Sequence, residues 1–156
     1  MPKTSTYLLL ALLLTACSSG SGPRTTSVPG RGALSIEVAP NPIIATRVKG
    51  DTYDFPFEAI VRETSGSAVT VQRVSVSVTA FGGLPVYSES YGPDEIARRG
   101  FPNTVSAMGE LRYKFNPRKD VADERLFSAV SAELKVEGVD GTGAPTSART
   151  TVTVRR

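Results

Sequence analysis

The sequence predicts an all-β fold, an antiparallel sandwich of about seven or eight strands, on three observations. Apolar residues recur with a period of two through most of the chain from Ala33 onward. Turn-forming residues cut that pattern into short segments. Only the stretch from Gly92 to Gly100 carries the marks of a helix.

In chain order, Leu34, Ile36 and Val38 alternate with Ser35 and Glu37, and Pro40-Asn41-Pro42 ends that run. Tyr53, Phe55, Phe57, Ala59 and Val61 alternate against Asp54, Glu58 and Arg62, with Pro56 and Ile60 as exceptions. After the turn Thr64-Ser65-Gly66-Ser67, apolar residues fall on odd positions at Val69 and Val71. They then fall on even ones at Val74, Val76, Val78 and Ala80. The apolar face changes parity across Gln72-Arg73, and one extra residue there, a β-bulge, restores it. Gly82-Gly83 breaks the chain again. Gly92-Pro93-Asp94-Glu95-Ile96-Ala97-Arg98-Arg99-Gly100 has acids first, bases last and a closing Gly, which suits a helical turn with a left-handed cap. Three further alternating runs follow. They contain Leu111, Tyr113 and Phe115, then Val130, Ala132, Leu134 and Val136, then Ala148, Thr150, Val152 and Val154. Asn116-Pro117 and Asp140-Gly141-Thr142-Gly143 punctuate them. A lone sheet would leave one face of these Val-rich strands in water, so two packed sheets are expected.

The 156 residues hold 18 Lys plus Arg, 15 Asp plus Glu, one Cys, no His and no Trp. Without His there is no Ser-His-Asp or Cys-His catalysis, no His-ligated zinc or haem and no imidazole switch. A single Cys allows no intrachain disulfide, so the fold stands on packing. Basic residues are dispersed, with Arg98-Arg99, Arg118-Lys119 and Arg155-Arg156 the only doublets. A nucleic-acid partner would require a basic patch or stripe, and none is expected.

At the N-terminus, Lys3 precedes an apolar run from Tyr7 to Leu14, followed by Leu14-Thr15-Ala16-Cys17. Eight residues rise about 12 Å as a helix, against a hydrocarbon core of about 30 Å, so the run is an export signal rather than a span. Leu14-Thr15-Ala16-Cys17 resembles the lipobox of bacterial lipoproteins. The resemblance implies cleavage between Ala16 and Cys17, a diacylglyceryl thioether on Cys17 and an acylated amino terminus. Ser18, rather than Asp, then implies outer-membrane delivery in a bacterium with two membranes. The mature chain would carry 17 basic and 15 acidic residues, a net charge of +2. Residues 17–32, rich in Ser, Gly and Pro, read as a tether reaching roughly 20 Å. Residues 33–156 form the folded domain.

A second resemblance covers that domain. Val38-Ala39-Pro40-Asn41-Pro42, and Val136 to Gly143 followed by Ala148 to Val154, look like the first and last strands of bacterial immunoglobulin-like domains. The paired cysteines and core Trp of antibody domains are missing. The resemblance implies architecture and no catalytic residue.

Candidate sites are few. Asp120, Asp123 and Glu124 are expected in one charged loop, with Arg118, Lys119 and Arg125 beside them, and their spacing matches no dense Ca²⁺ loop. Asp140 reads as a hairpin residue. Tyr87 and Tyr91, followed by Arg98 and Arg99, are the expected partner surface, in a loop from Phe81 to Phe101. The expectation is a lipid-anchored, non-enzymatic interaction module for another envelope protein, with no cofactor and no metal. A carbohydrate-binding module is the alternative, requiring Tyr87, Tyr91 and Tyr113 exposed as a platform. A carboxylate hydrolase is a third, requiring a concave pocket with two acids of separated pKa.

Overall fold

A computed structural model of the protein describes residues 32–156 and the backbone of Arg24–Thr26. The leader, the cleavage site at Ala16 and Cys17 lie outside the described residues. The strands are β1 (Arg24–Thr26), β2 (Leu34–Ala39), β3 (Ile43–Ile44), β4 (Thr46–Lys49), β5 (Thr52–Asp54), β6 (Phe57–Glu63), β7 (Val69–Ala80) and β8 (Leu84–Tyr91). The helix α1 (Pro93–Arg98) follows, then β9 (Thr104–Val105), β10 (Glu110–Phe115), β11 (Arg118–Asp120), a 3-10 turn (Glu124–Ser128), β12 (Ser131–Asp140) and β13 (Pro145–Arg155). Among the described residues, seven strands are six residues or longer, and six of them follow the alternating runs, the seventh being β8. β1 falls within the segment read as a tether and pairs with β13.

One layer of the sandwich has the order β1-β13-β12-β7-β8, with β3 beside β13 and β9 beside β7. The facing layer consists of two three-stranded sheets, β10-β6-β2 and β11-β5-β4. These two share a single ladder, since Phe115 pairs with Phe57 and, three residues on, Arg118 pairs with Asp54 in the same register. Two prolines interrupt it at adjacent levels, Pro56 opposite Asn116 and Pro117 opposite Phe55. Neither has an N–H to give, and the Phe55 N–H donates to the Pro117 carbonyl (3.0 Å) as the last bond across the gap. The chain expected as one strand from Tyr53 to Val61 is therefore split at Phe55-Pro56 into β5 and β6.

At the other end the two layers close. Leu34, Ile36, Val61, Val69, Val71 and Val136 are almost fully buried there, each contributing about 1.5–3 kcal/mol relative to exposure. The bulge is where the parity change puts it. Arg73 pairs with Glu137 and Val71 with Gly138, leaving Gln72 as the extra residue. Val69 and Val71 thereby face the same interior as Val74, Val76 and Val78. Gly138 is required opposite the bulge, because a Cβ there would lie 2.6 Å from the Thr70 carbonyl oxygen. α1 ends as its sequence predicts: Gly100 takes φ +72, its N–H donates to the Ala97 carbonyl, and Phe101 N–H donates to that of Ile96.

Two buried carboxylates fasten the closed end. Glu63, 2% exposed, accepts from the backbone N–H groups of Ala33, Ser65, Gly66 and Met108 and from the Ser65 hydroxyl. Burial pushes its carboxyl up, but these donors outweigh it and bring the pKa down to about 2. Asp140 accepts from the N–H groups of Gly32, Thr142 and Ala144 and from the Thr142 hydroxyl, which holds it below the usual carboxylate range. It is the turn residue expected, and it also fixes the chain entering β2.

Candidate functional site

Beside the break at Pro56 and Pro117, an open cleft of about 870 Å³ lies between the layers. One wall is the inner face of β7 and β8. Val74, Val76 and Val78 pair across the ladder with Tyr91, Glu89 and Tyr87, so both sets face inward. The opposite wall holds Phe55, Phe57, Phe115 and Phe127, with Phe101 at one side. Five of the six Phe residues thus line the cleft. Their rings pack on one another, Phe57 on Phe115 at 5.0 Å and Phe101 on Phe115 at 5.5 Å between centroids. The volume and apolar lining are those of a ligand pocket.

The polar groups gather on the β8 wall. Glu89 accepts hydrogen bonds from the hydroxyls of Tyr87 and Tyr91, which hold its carboxyl below the usual range. Burial opposes that shift, and the charges of Lys119 and Arg99 add to it. Burial first, then the Glu89 carboxylate, pushes the Tyr87 phenol up to about 12 and raises Tyr91 as well. A cation covers each ring: Lys119 Nζ lies 4.5 Å from the Tyr87 centroid and Arg99 Cζ 4.5 Å from that of Tyr91. Arg99 also pairs with Glu95 at 2.8 Å. Tyr87, Tyr91 and Arg99 are therefore brought together as expected. Arg98 is not: it points to solvent and pairs with Glu95.

Three expectations are corrected. The segment from Phe81 to Phe101 is mostly strand β8 and helix α1 rather than loop. Its alternation was hidden because Glu89 occupies an inward position where an apolar residue is the usual mark. Asp120, Asp123 and Glu124 do not share a loop. Asp120 ends β11 and accepts from Thr52, Asp123 caps the 3-10 turn through the Arg125 N–H (3.0 Å), and Glu124 accepts from the Tyr53 hydroxyl. Each is engaged by protein donors, and the described residues hold no cluster of three such ligands. Asp123, as an N-cap residue, was the signal for that turn. Tyr113 is buried against Phe101, with its hydroxyl donating to the Pro102 carbonyl (2.7 Å), so it belongs to no exposed platform.

Fold and site together define an antiparallel β-sandwich opened at one end. No protein-family model matches the sequence, and no curated protein matches it. The X-ray structure of Northeast Structural Genomics Consortium target SoR45 is similar in fold, with a TM-score of 0.52 at 9% identity over 82% of this chain and 90% of that one. The crystal structure of the C-terminal domain of wzt gives a TM-score of 0.47 at 15% identity over 86% of this chain and 78% of that one. The first likeness is one of fold alone.

Proposed function

We propose that the protein is a non-catalytic interaction module of a bacterial envelope, lipid-anchored through Cys17, that presents the free edge of β8 to another envelope protein. The observation that carries this is the edge itself. β8 is eight residues long and pairs only with β7, and its outward side chains at Ser88 and Ser90 are small and exposed. An extended segment of a partner can add to such an edge through main-chain hydrogen bonds. Pro85 and the inward charge of Glu89 are devices that restrain indiscriminate pairing at an edge, which favours a selective partner. Tethering raises the effective concentration of partners in the same envelope, so a modest interface suffices.

The cleft supports the non-catalytic reading. Three acids line it: Glu89 and Asp123 are shifted downward, so neither is kept protonated near neutrality as a general acid must be, and Asp120 accepts from the Thr52 hydroxyl at the end of β11. The inward, cation-covered rings of Tyr87 and Tyr91 favour the protein-binding reading over the carbohydrate alternative. The test is photo-cross-linking in intact cells from probes at Ser88 and Ser90, with Glu133 as a control site. Discrete adducts at β8 alone support the proposal, and identical patterns at all three sites refute it. Detergent partitioning of wild type and Cys17→Ala tests the anchor: both chains in the aqueous phase would refute that part.

A further inference from the structure

The exposed apolar residues are not scattered. Of the six large ones, five are Ile44, Val48, Phe81, Leu84 and Val86, and the sixth is Met108. Met108 lies at the closed end, its N–H bound to Glu63. The other five lie at the open end. Ile44 pairs with Arg155 at the end of β13, Phe81 and Leu84 flank the β7–β8 turn, and Val48 is in β4, beyond the proline break. Phe81 is 55% and Leu84 62% exposed, and they sit at the tip of the β7–β8 hairpin beyond Val78 and Val86, which line a cleft rich in Phe and Val. Such a concentration marks a surface that meets an apolar partner.

Two independent observations say which partner. The first is charge. Lys114 and Lys119 line the cleft and Lys49 lies on β4 beside it, and among the described residues only Lys135 of the lysines is in an ion pair. Of the acids at this end, Asp54 and Asp123 are ion-paired with Arg118 and Arg125, and Glu124 is shared by Arg47 and Arg156, so Lys49, Lys114, Lys119 and one arginine outnumber the charges left on Asp51, Asp120 and Glu89. The second is where the tether starts. Arg24 pairs with Arg149 and Thr26 with Ser147, so β1 begins at its end nearer Arg155. Val154 at the cleft is five residues past Arg149, about 17 Å along the strand. The seven steps from Cys17 to Arg24 span up to about 25 Å, enough for an anchor at Cys17 to reach the open end.

We infer that the open end of the sandwich rests on a lipid bilayer and that the cleft admits an acyl chain of an anionic phospholipid. Phe81, Leu84 and Val86 enter the interface, while Lys49, Lys114 and Lys119 meet the headgroups. This goes beyond the edge-strand reading, and its tether argument rests on the anchor at Cys17 proposed above.

The chain has no Trp, so its tyrosine emission reports on the cleft through Tyr87 and Tyr91. The full chain, as isolated from cells, is reconstituted into phosphatidylglycerol-containing vesicles with brominated or unbrominated acyl chains. Brominated chains are expected to quench the emission. The quenched component should vanish in Tyr87→Phe/Tyr91→Phe, which keeps the rings. Phe81→Ser/Leu84→Ser, at exposed positions that leave the core intact, should shift the docked population about tenfold or more toward the undocked state. Lys114→Gln/Lys119→Gln, or neutral phosphatidylcholine, should do likewise by about tenfold. Equal emission in both vesicle types overturns the proposal, as does quenching unchanged by Phe81→Ser/Leu84→Ser. Equal quenching in neutral and anionic vesicles overturns the choice of an anionic lipid. If a second copy covers this end instead, quenching is absent and the chain sediments as a dimer, which also overturns it.

Discussion

Replacing Glu63 by Gln removes the charge that five donors converge on at the closed end while keeping the side chain's size. The carboxyl falls from an ordinary 4.5 to about 2 on folding. At 1.36 kcal/mol per unit, that difference amounts to roughly 3 kcal/mol of stability at neutral pH. A domain of this size holds about 5–15 kcal/mol in all, so Glu63→Gln is expected to lower Tm by about 10 °C. Because the folded-state pKa is depressed, this contribution is complete above pH 4.5 and is lost as pH falls through the value near 2. Urea unfolding followed by far-ultraviolet circular dichroism should show a gap between wild type and variant of about 3 kcal/mol at pH 7 that shrinks toward zero near pH 2. Other acids titrate alike in both chains, so the gap isolates Glu63. A gap below about 0.5 kcal/mol at pH 7 would refute the role of the charge. A gap that persists at pH 2 would assign the loss to packing.

Three other outcomes are expected. Gly138→Ala should destabilise by about 1–3 kcal/mol, since its methyl meets the Thr70 carbonyl and Val69; an unchanged urea midpoint would contradict the close approach. Deleting Gln72 should leave a cooperative fold, because Arg73–Glu137 and Val71–Gly138 then pair as consecutive positions and Val69 and Val71 stay on the interior face with Val74. Loss of the cooperative urea transition in the deletion variant would count against this. Glu89→Gln should move the Tyr87 phenol down from about 12 toward ordinary tyrosine, because the carboxylate is the second cause, after burial, of its elevation. Ultraviolet titration of the variant against wild type reads this directly, and identical curves would separate Glu89 from Tyr87.

The sequence alone determined what depends on neighbours along the chain. Alternation gives the long strands, a parity change across two residues gives the bulge at Gln72, and a terminal Gly gives the close of α1. These are legible because pleat, bulge and cap are set by the local backbone and its two or three nearest side chains. Tertiary structure decided what depends on register between distant segments. Pro56 and Pro117 each read as a local break, and only the register brings them to adjacent levels of one ladder, beside the cleft. Glu63 looks like an exposed-strand Glu until Met108, 45 positions away, donates to it. Glu89 looks like a solvent residue until its pairing opposite Val76 turns it inward. Pairing partners far apart in sequence are chosen by the packing of the whole sandwich, and the cleft, its charged wall and its apolar mouth exist only once that choice is made.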